Sequence, residues 1–288
     1  MVAHCLAGFG DGADEARSGG EVVDEEAGVQ PLAQIAPVGE AGVLDLVPTQ
    51  HVHAGTGRST SGMPCGCGRW KLASRYGAMV PEGRYVTLDW RDCRNARDVG
   101  GLVGADGRRV RTGALVRSDD HHRLTPTTVR AVRASGVTRI VDLRWAWECQ
   151  QYPSPFAGDA VYRHVPMLAD VLTYDPPADT YGPMLDHNRE RIAAAFRTVA
   201  QAPPGGVVVH CLSGRDRTGV LVGLLLAVAG VGPKEIAADY ARTEGCSPLP
   251  MLNTLAHTER RYGGAASYLI GSGAEPQLLD AVRTRLLE

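Results

Sequence analysis

A cysteine, five intervening residues and an arginine form the part of this sequence best equipped for chemistry, in the run His210-Cys211-Leu212-Ser213-Gly214-Arg215-Asp216-Arg217-Thr218-Gly219. A thiol attacks only as thiolate, and an ordinary cysteine is mostly protonated near neutrality. A helix N-terminus and nearby arginines favour the ionised form. Cys211 has both in prospect, with Arg215 and Arg217 close by and an apolar run after Thr218. Arg217 offers a planar fork to two oxygens of a phosphoryl group. Five residues let the chain curl so that sulfur and guanidinium meet at one phosphate, and Gly214 and Gly219 permit the tight turn. Leu212, Ser213, Gly214 and Arg215 then surround the phosphate, and the Thr218 hydroxyl can steady the thiolate as it leaves. The chemistry implied is nucleophilic displacement at phosphorus.

The elements that must position this loop are also legible. Val207-Val208-Val209 is β-branched and follows Pro203-Pro204-Gly205-Gly206, which predicts a buried strand over 206–210. Val220 to Val231 is apolar all round, which predicts a buried helix over 218–230. A loop between a strand end and a helix start gathers unpaired N–H groups, and the helix dipole adds to their pull on anions. Further strands are predicted at 85–89, 112–117, 138–143 and 161–165, and helices at 126–135, 183–201, 233–243, 248–262 and 275–287. Thr125-Pro126 is an N-cap followed by Pro at the first helical position. Strands alternating with helices indicate an α/β fold, a mostly parallel central sheet flanked by helices with a helical C-terminal part. Ligands of such sheets sit outside the carboxyl ends of the strands. Cys211 and Asp142 both fall there, so one shared pocket is expected. The 168–185 segment, with Pro176-Pro177 and Pro183, reads as a lid.

Four blocks upstream agree with the loop in order: Asn95-Ala96-Arg97-Asp98-Val99-Gly100-Gly101, Gly113 to Asp119, Leu124-Thr125-Pro126 and Val141-Asp142-Leu143-Arg144. Together with the loop they resemble the bacterial atypical tyrosine phosphatases, the Cys-x5-Arg group that includes the secreted mycobacterial tyrosine phosphatase B type. The resemblance covers about residues 82–288. It implies a cysteine-phosphatase-like fold and a phosphocysteine intermediate, with Cys211 as nucleophile, Arg217 as phosphate clamp, Thr218 as helper hydroxyl and no cofactor. Phosphotyrosine is the implied substrate, with phosphoserine, phosphothreonine or phosphoinositides beside it. Two positions depart from the group: Ala96 replaces a Phe, and Arg215 replaces the loop lysine, keeping the charge but changing its reach. The chain has no Trp-Pro-Asp. Asp216 is therefore the candidate general acid and later water activator, against the plainer reading that it pairs with Arg215 or Arg217. His210 is expected to fix loop geometry. Asp98 is read either as orienting the loop or as holding a Gly-Gly turn, Asp142 as a support, and Arg97 and Arg144 as supporting or substrate arginines or as solvated ones.

Composition narrows the function. The 288 residues carry a formal net charge of −2, with a pI near 6.5, so a general nucleic-acid binder is disfavoured. Residues 1–78 hold nine Asp or Glu, five Lys or Arg, and only Phe9, Trp70 and Tyr76 as aromatics. Residues 1–80 are therefore expected to be disordered, or a gene-start artefact with Met79 or Met63 as the natural start, and 81–288 to be one phosphatase domain. The first residues lack a basic run followed by an apolar one, so an ordinary signal peptide is not expected. The longest apolar run is too short for a bilayer, which takes about 20 residues. Seven cysteines form no paired framework, and a nucleophilic thiol suits a reducing compartment such as the cytoplasm; secretion by a non-standard route is compatible with the resemblance. Cys65-Gly66-Cys67 is too close for usual zinc ligation, and no metal is required. His121-His122 reads as a surface pair, Trp145 and Trp147 as packing residues and Tyr240 as core. The expected partner is a phosphorylated protein or a phosphoinositide, with transient contact at a membrane surface. The competing readings are a catalytically silent phosphate- or phosphoinositide-binding module and a rhodanese-like sulfur transferase, whose loop has a shorter spacer.

Overall fold

A computed structural model describes Leu88, Trp90 and residues 92–288. Its centre is a five-stranded sheet of β1 (Arg97–Asp98), β2 (Leu115–Ser118), β3 (Val137–Asp142), β4 (Tyr162–His164) and β5 (Gly206–His210), in the order β1-β2-β5-β3-β4. Only β1 runs antiparallel, at an edge. Strand β5 lies at the middle because all five of its residues can be buried. Its side chains alternate as a strand requires. Val207 and Val209 enter a large core with Leu115 and Val141, while Val208 enters a smaller one with Val116, Ile140 and Phe156. The pairings Ser118–His210, Asp142–His210 and Asp142–His164 bring β2 to β5 to a common finishing line. Whatever follows His210 therefore emerges at the carboxyl edge of the sheet.

The helices are α1 (Pro126–Ala134), α2 (Ala146–Gln151), α3 (Gly182–His187), α4 (Arg189–Ala200), α5 (Asp216–Val228), α6 (Pro233–Ala241), α7 (Leu249–Tyr262), α8 (Ala265–Gly271) and α9 (Pro276–Leu286). Thr125 caps α1, accepting from the Thr128 N–H at 3.3 Å. Helix α5 is buried almost throughout, as its apolar run from Val220 requires. Gly219 lets Tyr240 of α6 approach it closely; a Cβ there would lie 2.8 Å from the Tyr240 ring.

The sheet and most helices stand where the sequence places them, with five differences. The strand expected at 85–89 falls mostly outside the described residues, and Leu88 is not in a strand. Strand β2 starts at Leu115 because Gly113, at φ +78°, turns the chain just before it. The helix expected over 183–201 breaks at Asn188, whose side chain accepts from the Ala169 N–H at 2.9 Å and donates to the Met184 carbonyl at 3.0 Å. Helix α5 starts at Asp216 rather than Thr218. The short helices α2 and α8 and the two-residue β1 have no sequence signal of their own. The expectations for residues 1–80 and for Cys65 and Cys67 lie outside the described residues. Among the described residues no helix is long and apolar enough to cross a membrane.

Asn188 is buried, and its side chain satisfies two main-chain groups. Asn188→Ala should cost about 1–3 kcal/mol in urea denaturation, because it strands the Ala169 N–H and the buried Met184 carbonyl. Asn188→Asp should cost at least as much at neutral pH, because it sets a buried carboxylate against that carbonyl.

Candidate active site

The loop leaves β5 at His210 and enters α5 at Asp216. Cys211 is buried at its base, Leu212 is half-buried and Ser213 is exposed. Gly214 has φ +66°, and a Cβ there would meet the Ser118 carbonyl oxygen at 2.5 Å, so only glycine fits. The loop's carbonyls are tied back. Asn95 Nδ2 donates to Ser213 O at 3.2 Å and to Gly214 O at 3.0 Å, and Arg117 Nη2 donates to Gly214 O at 2.9 Å. The N–H groups of Leu212, Ser213 and Gly214 meet no acceptor among the described residues. A concave run of unspent N–H groups at a helix start is an anion cradle.

The residues that tie the loop back are themselves anchored on α6. Asp239 accepts from Arg97 Nε at 2.9 Å through Oδ1 and from Arg117 Nη1 at 2.7 Å through Oδ2. All three are buried. Burial would raise the Asp239 carboxyl, but the two guanidinium groups outweigh it and hold it below the usual range. Burial, and then Arg117, push Arg97 down to about 10. Arg97 Nη1 also donates to Asn95 Oδ1 at 2.5 Å, which turns the Asn95 amide N–H toward the loop. Arg97 is thus a structural cation rather than a substrate arginine.

Arg217 is clamped from the opposite side by a residue the sequence reading missed. Glu148 of α2 takes Arg217 Nη1 at 2.5 Å on Oε2 and Nη2 at 2.8 Å on Oε1. Glu148 is in turn fixed by the Trp145 N–H at 2.8 Å, and the Trp145 ring lies 4.7 Å from the Arg217 guanidinium carbon. Burial would lower the Arg217 pKa, yet the Glu148 hydrogen bonds and the charges of Cys211 and Glu148 keep it above its ordinary value. Glu148 takes one proton from each terminal nitrogen of the five-donor fork, and the remaining donors are available to a phosphoryl group. Thr218 Oγ1 is buried without a hydrogen-bond partner, so its hydroxyl is unspent.

Beneath the loop, His210 stacks on His121 with ring centroids 4.1 Å apart, and its Nδ1 lies 3.3 Å from the Cys211 carbonyl. His121 is therefore no surface residue: it is fully buried and also packs edge-on against Trp90 and Phe156. His122 is half-buried against Asp120. Asp142 does not open into the pocket as its strand-end position suggested. It is fully buried, accepting from Arg144 Nη2 at 2.7 Å and Tyr162 Oη at 2.7 Å, with His210 Nε2 at 3.6 Å. Arg144, equally buried, also donates to the Tyr152 carbonyl at 2.8 Å. This pair lies behind the loop, with His210 between them. Asp98 accepts from the N–H groups of Gly100 at 2.8 Å and Gly113 at 2.6 Å, a turn clasp and not a loop contact.

At the rim, Asp216 occupies the first turn of α5 with Arg215 Nε 3.2 Å from Oδ1, and the Tyr181 hydroxyl donates to that same oxygen. A pocket of about 380 Å³ opens beside the loop, lined by Leu212, Ser213 and Arg215 on one side and by Arg94, Arg123 and Tyr152 among others. Two other thiols are poor nucleophiles, since burial first of all pushes Cys93 up to about 12 and Cys149 up to about 11.

Two outcomes follow from this geometry. Glu148→Gln leaves Arg217 buried with its counter-charge gone, which should cost about 3–5 kcal/mol. Tungstate, by supplying a replacement anion, should raise the melting temperature of this variant more than that of the wild type. The buried imidazoles set a pH dependence. Burial lowers the pKa of His210, and burial followed by the neighbouring His210 lowers that of His121. The stability these neutral rings contribute is complete above the unfolded-state value of about 6.5 and declines as pH falls below it. In urea denaturation at pH 7.0 and 5.5, His121→Phe should reduce the loss seen on acidification.

Comparisons with known proteins identify the family of the chain. A Cupriavidus necator relative is 33% identical over 177 residues, which cover 55% of this chain and 63% of its own. The Nostoc commune tyrosine-protein phosphatase is 35% identical over 139 residues, 44% of this chain and 47% of its own. The Mycobacterium tuberculosis triple specificity protein phosphatase PtpB is 28% identical over 191 residues, 54% of this chain and 68% of its own. The chain thus spans about half to two thirds of the length of these curated relatives. The crystal structure of Pseudomonas aeruginosa TpbA in complex with phosphotyrosine matches at a TM-score of 0.36 and 16% identity, over 70% of this chain and 95% of that one, a level too low to carry further comparison. The model of the tyrosine phosphatase family matches residues 88–250, a span that holds the Arg97–Asp239 anchor, Glu148 and the whole Cys211–Arg217 loop, and this chain belongs to that family.

Proposed function

We propose that residues 81–288 form a cysteine-dependent phosphatase that hydrolyses phosphate monoesters through a phosphocysteine intermediate. The observation that carries this reading is one loop holding Cys211 at its base, unspent N–H groups along it, and the Arg217 fork fixed by Glu148. In the first step the Cys211 thiolate attacks phosphorus. The P–S bond forms, the ester P–O bond breaks, and Asp216 passes a proton to the leaving oxygen. In the second step water attacks phosphorus, Asp216 takes its proton, and the thiolate leaves toward the Thr218 hydroxyl. The N–H groups of Leu212, Ser213, Gly214 and Arg215, together with Arg217, hold the phosphoryl oxygens throughout.

Phosphotyrosine is the proposed principal substrate, with phosphoserine, phosphothreonine or phosphoinositides as further ones. The family match supports the first, and the name of the M. tuberculosis relative, a triple specificity protein phosphatase, supports breadth. Reliance on a reduced thiol supports a cytoplasmic setting. The competing reading, a silent phosphate-binding module, is disfavoured by the joint presence of Cys211, Arg217 and Thr218.

Hydrolysis of p-nitrophenyl phosphate at mildly acid pH, with reductant and without added metal, tests the reaction. The wild type should turn over and Cys211→Ser should not. Activity surviving in Cys211→Ser would falsify the mechanism, and an inactive wild type that still binds vanadate would favour the silent module. Asp216→Asn should lower turnover of poor leaving groups about 100-fold while vanadate binding persists; equal loss of both would make Asp216 structural. A panel of phosphopeptides and phosphoinositides ranks the substrates.

A further inference from the structure

We propose that Tyr181 is a positioning residue for Asp216, fixing which carboxyl oxygen carries the proton delivered to the leaving group. The inference rests on the reading of Asp216 as general acid. Tyr181 lies outside the catalytic loop, within the 168–185 segment and just before α3, and no motif marks it in the sequence. Its hydroxyl donates to Asp216 Oδ1 and lies 2.7 Å from the Tyr240 hydroxyl. The residue is held firmly. Its backbone N–H donates to Thr254 Oγ1 at 2.7 Å, and its ring, only 9% exposed, meets Tyr240 edge-on at 6.1 Å. Tyr240 is in turn lodged against Gly219 of α5. Burial, and then the charge of Asp216, keep the Tyr181 hydroxyl protonated well above the usual phenol range. It therefore stays a donor to Asp216 and an acceptor for Tyr240.

A general acid works only if its proton sits on the oxygen facing the leaving group. Oδ1 of Asp216 receives the Tyr181 hydroxyl and lies 3.2 Å from Arg215 Nε, whereas Oδ2 lies 3.4 Å from that nitrogen and takes no hydroxyl. Protonating Oδ1 would displace a donor; protonating Oδ2 displaces less. The proton that moves to the leaving oxygen, and the one taken back from water, therefore ride on Oδ2. Without the Tyr181 hydroxyl the carboxyl turns more freely, since this side-chain torsion is broad, and proton delivery is misaligned.

The test compares kcat/KM for p-nitrophenyl phosphate, whose leaving group needs little protonation, with that for phenyl phosphate, whose leaving group needs much. Asp216→Asn should lose about 100-fold on phenyl phosphate and far less on the nitro ester. Tyr181→Phe, which keeps the ring, should lose about tenfold on phenyl phosphate and little on the nitro ester, with vanadate affinity unchanged. Added to Asp216→Asn it should cost nothing more, because the two act as a unit. Equal slowing of both esters by Tyr181→Phe, or a further loss in the double variant, would overturn the inference and leave Asp216 as the acid. If Asp216→Asn itself treats the two esters alike, the acid reading fails first and takes the inference with it. If Tyr181→Phe does not fold, Tyr240→Phe must show the same leaving-group selectivity in weaker form, and an unselective loss there overturns the proposal.

Discussion

The site depends on a problem of buried positive charge. Four arginines, Arg97, Arg117, Arg144 and Arg217, are almost entirely removed from solvent. A guanidinium cannot shed its proton to escape that cost, so each must find a carboxylate within hydrogen-bond reach. Three carboxylates serve the four: Asp239 for Arg97 and Arg117, Asp142 for Arg144 and Glu148 for Arg217. These pairs surround the loop on three sides, from α6, from the end of β3 and from α2. Across these seven groups positive charge exceeds negative by one. In the proposed mechanism the buried Cys211 thiolate offsets that charge, and the loop's N–H groups with the remaining Arg217 donors are left to hold a phosphoryl group.

This arrangement explains how helix α6 becomes part of the site through Asp239. Asp239 fixes Arg97 and Arg117, these fix the Asn95 amide and the Gly214 carbonyl, and the carbonyls so tied back leave the loop's N–H groups facing inward for an anion. The close approach of Gly214 to the Ser118 backbone holds the same loop against the end of β2. The cradle's shape is therefore set before any substrate arrives, and little reorganisation remains to be done during reaction.

How much of this the sequence discloses follows from the range of the interactions. The strand Gly206–His210, the loop and α5 are legible because their signals are local: a β-branched run, a Cys-x5-Arg spacing and an all-apolar helix. Glu148 is not legible, because its partner Arg217 lies 69 residues away and a lone glutamate in a short helix looks like any solvated one. The break at Asn188 is hidden for the same reason, since what interrupts the helical pattern is an amide reaching to Ala169. His121 reads as surface because its neighbours in sequence are polar; its burial comes from His210, Trp90 and Phe156, brought together by the sheet and the loop before α1. The sequence pattern sets Asp142 at a strand end, where it lies, but alternation along β3 cannot reveal that Arg144 curls back to cover it.

The departure at Arg215 can now be read physically. A lysine ammonium is a compact point charge on a flexible stem, free to reach toward a substrate. Arg215 instead sets its Nε beside Asp216 and remains part of the wall of the neighbouring pocket. Its charge is thus shared between the carboxyl of the proposed acid and the pocket that a substrate's second anionic group would enter. In the proposed mechanism, a substrate group that drew this guanidinium outward would also withdraw a donor from Asp216, which would couple substrate choice to proton delivery at Arg215.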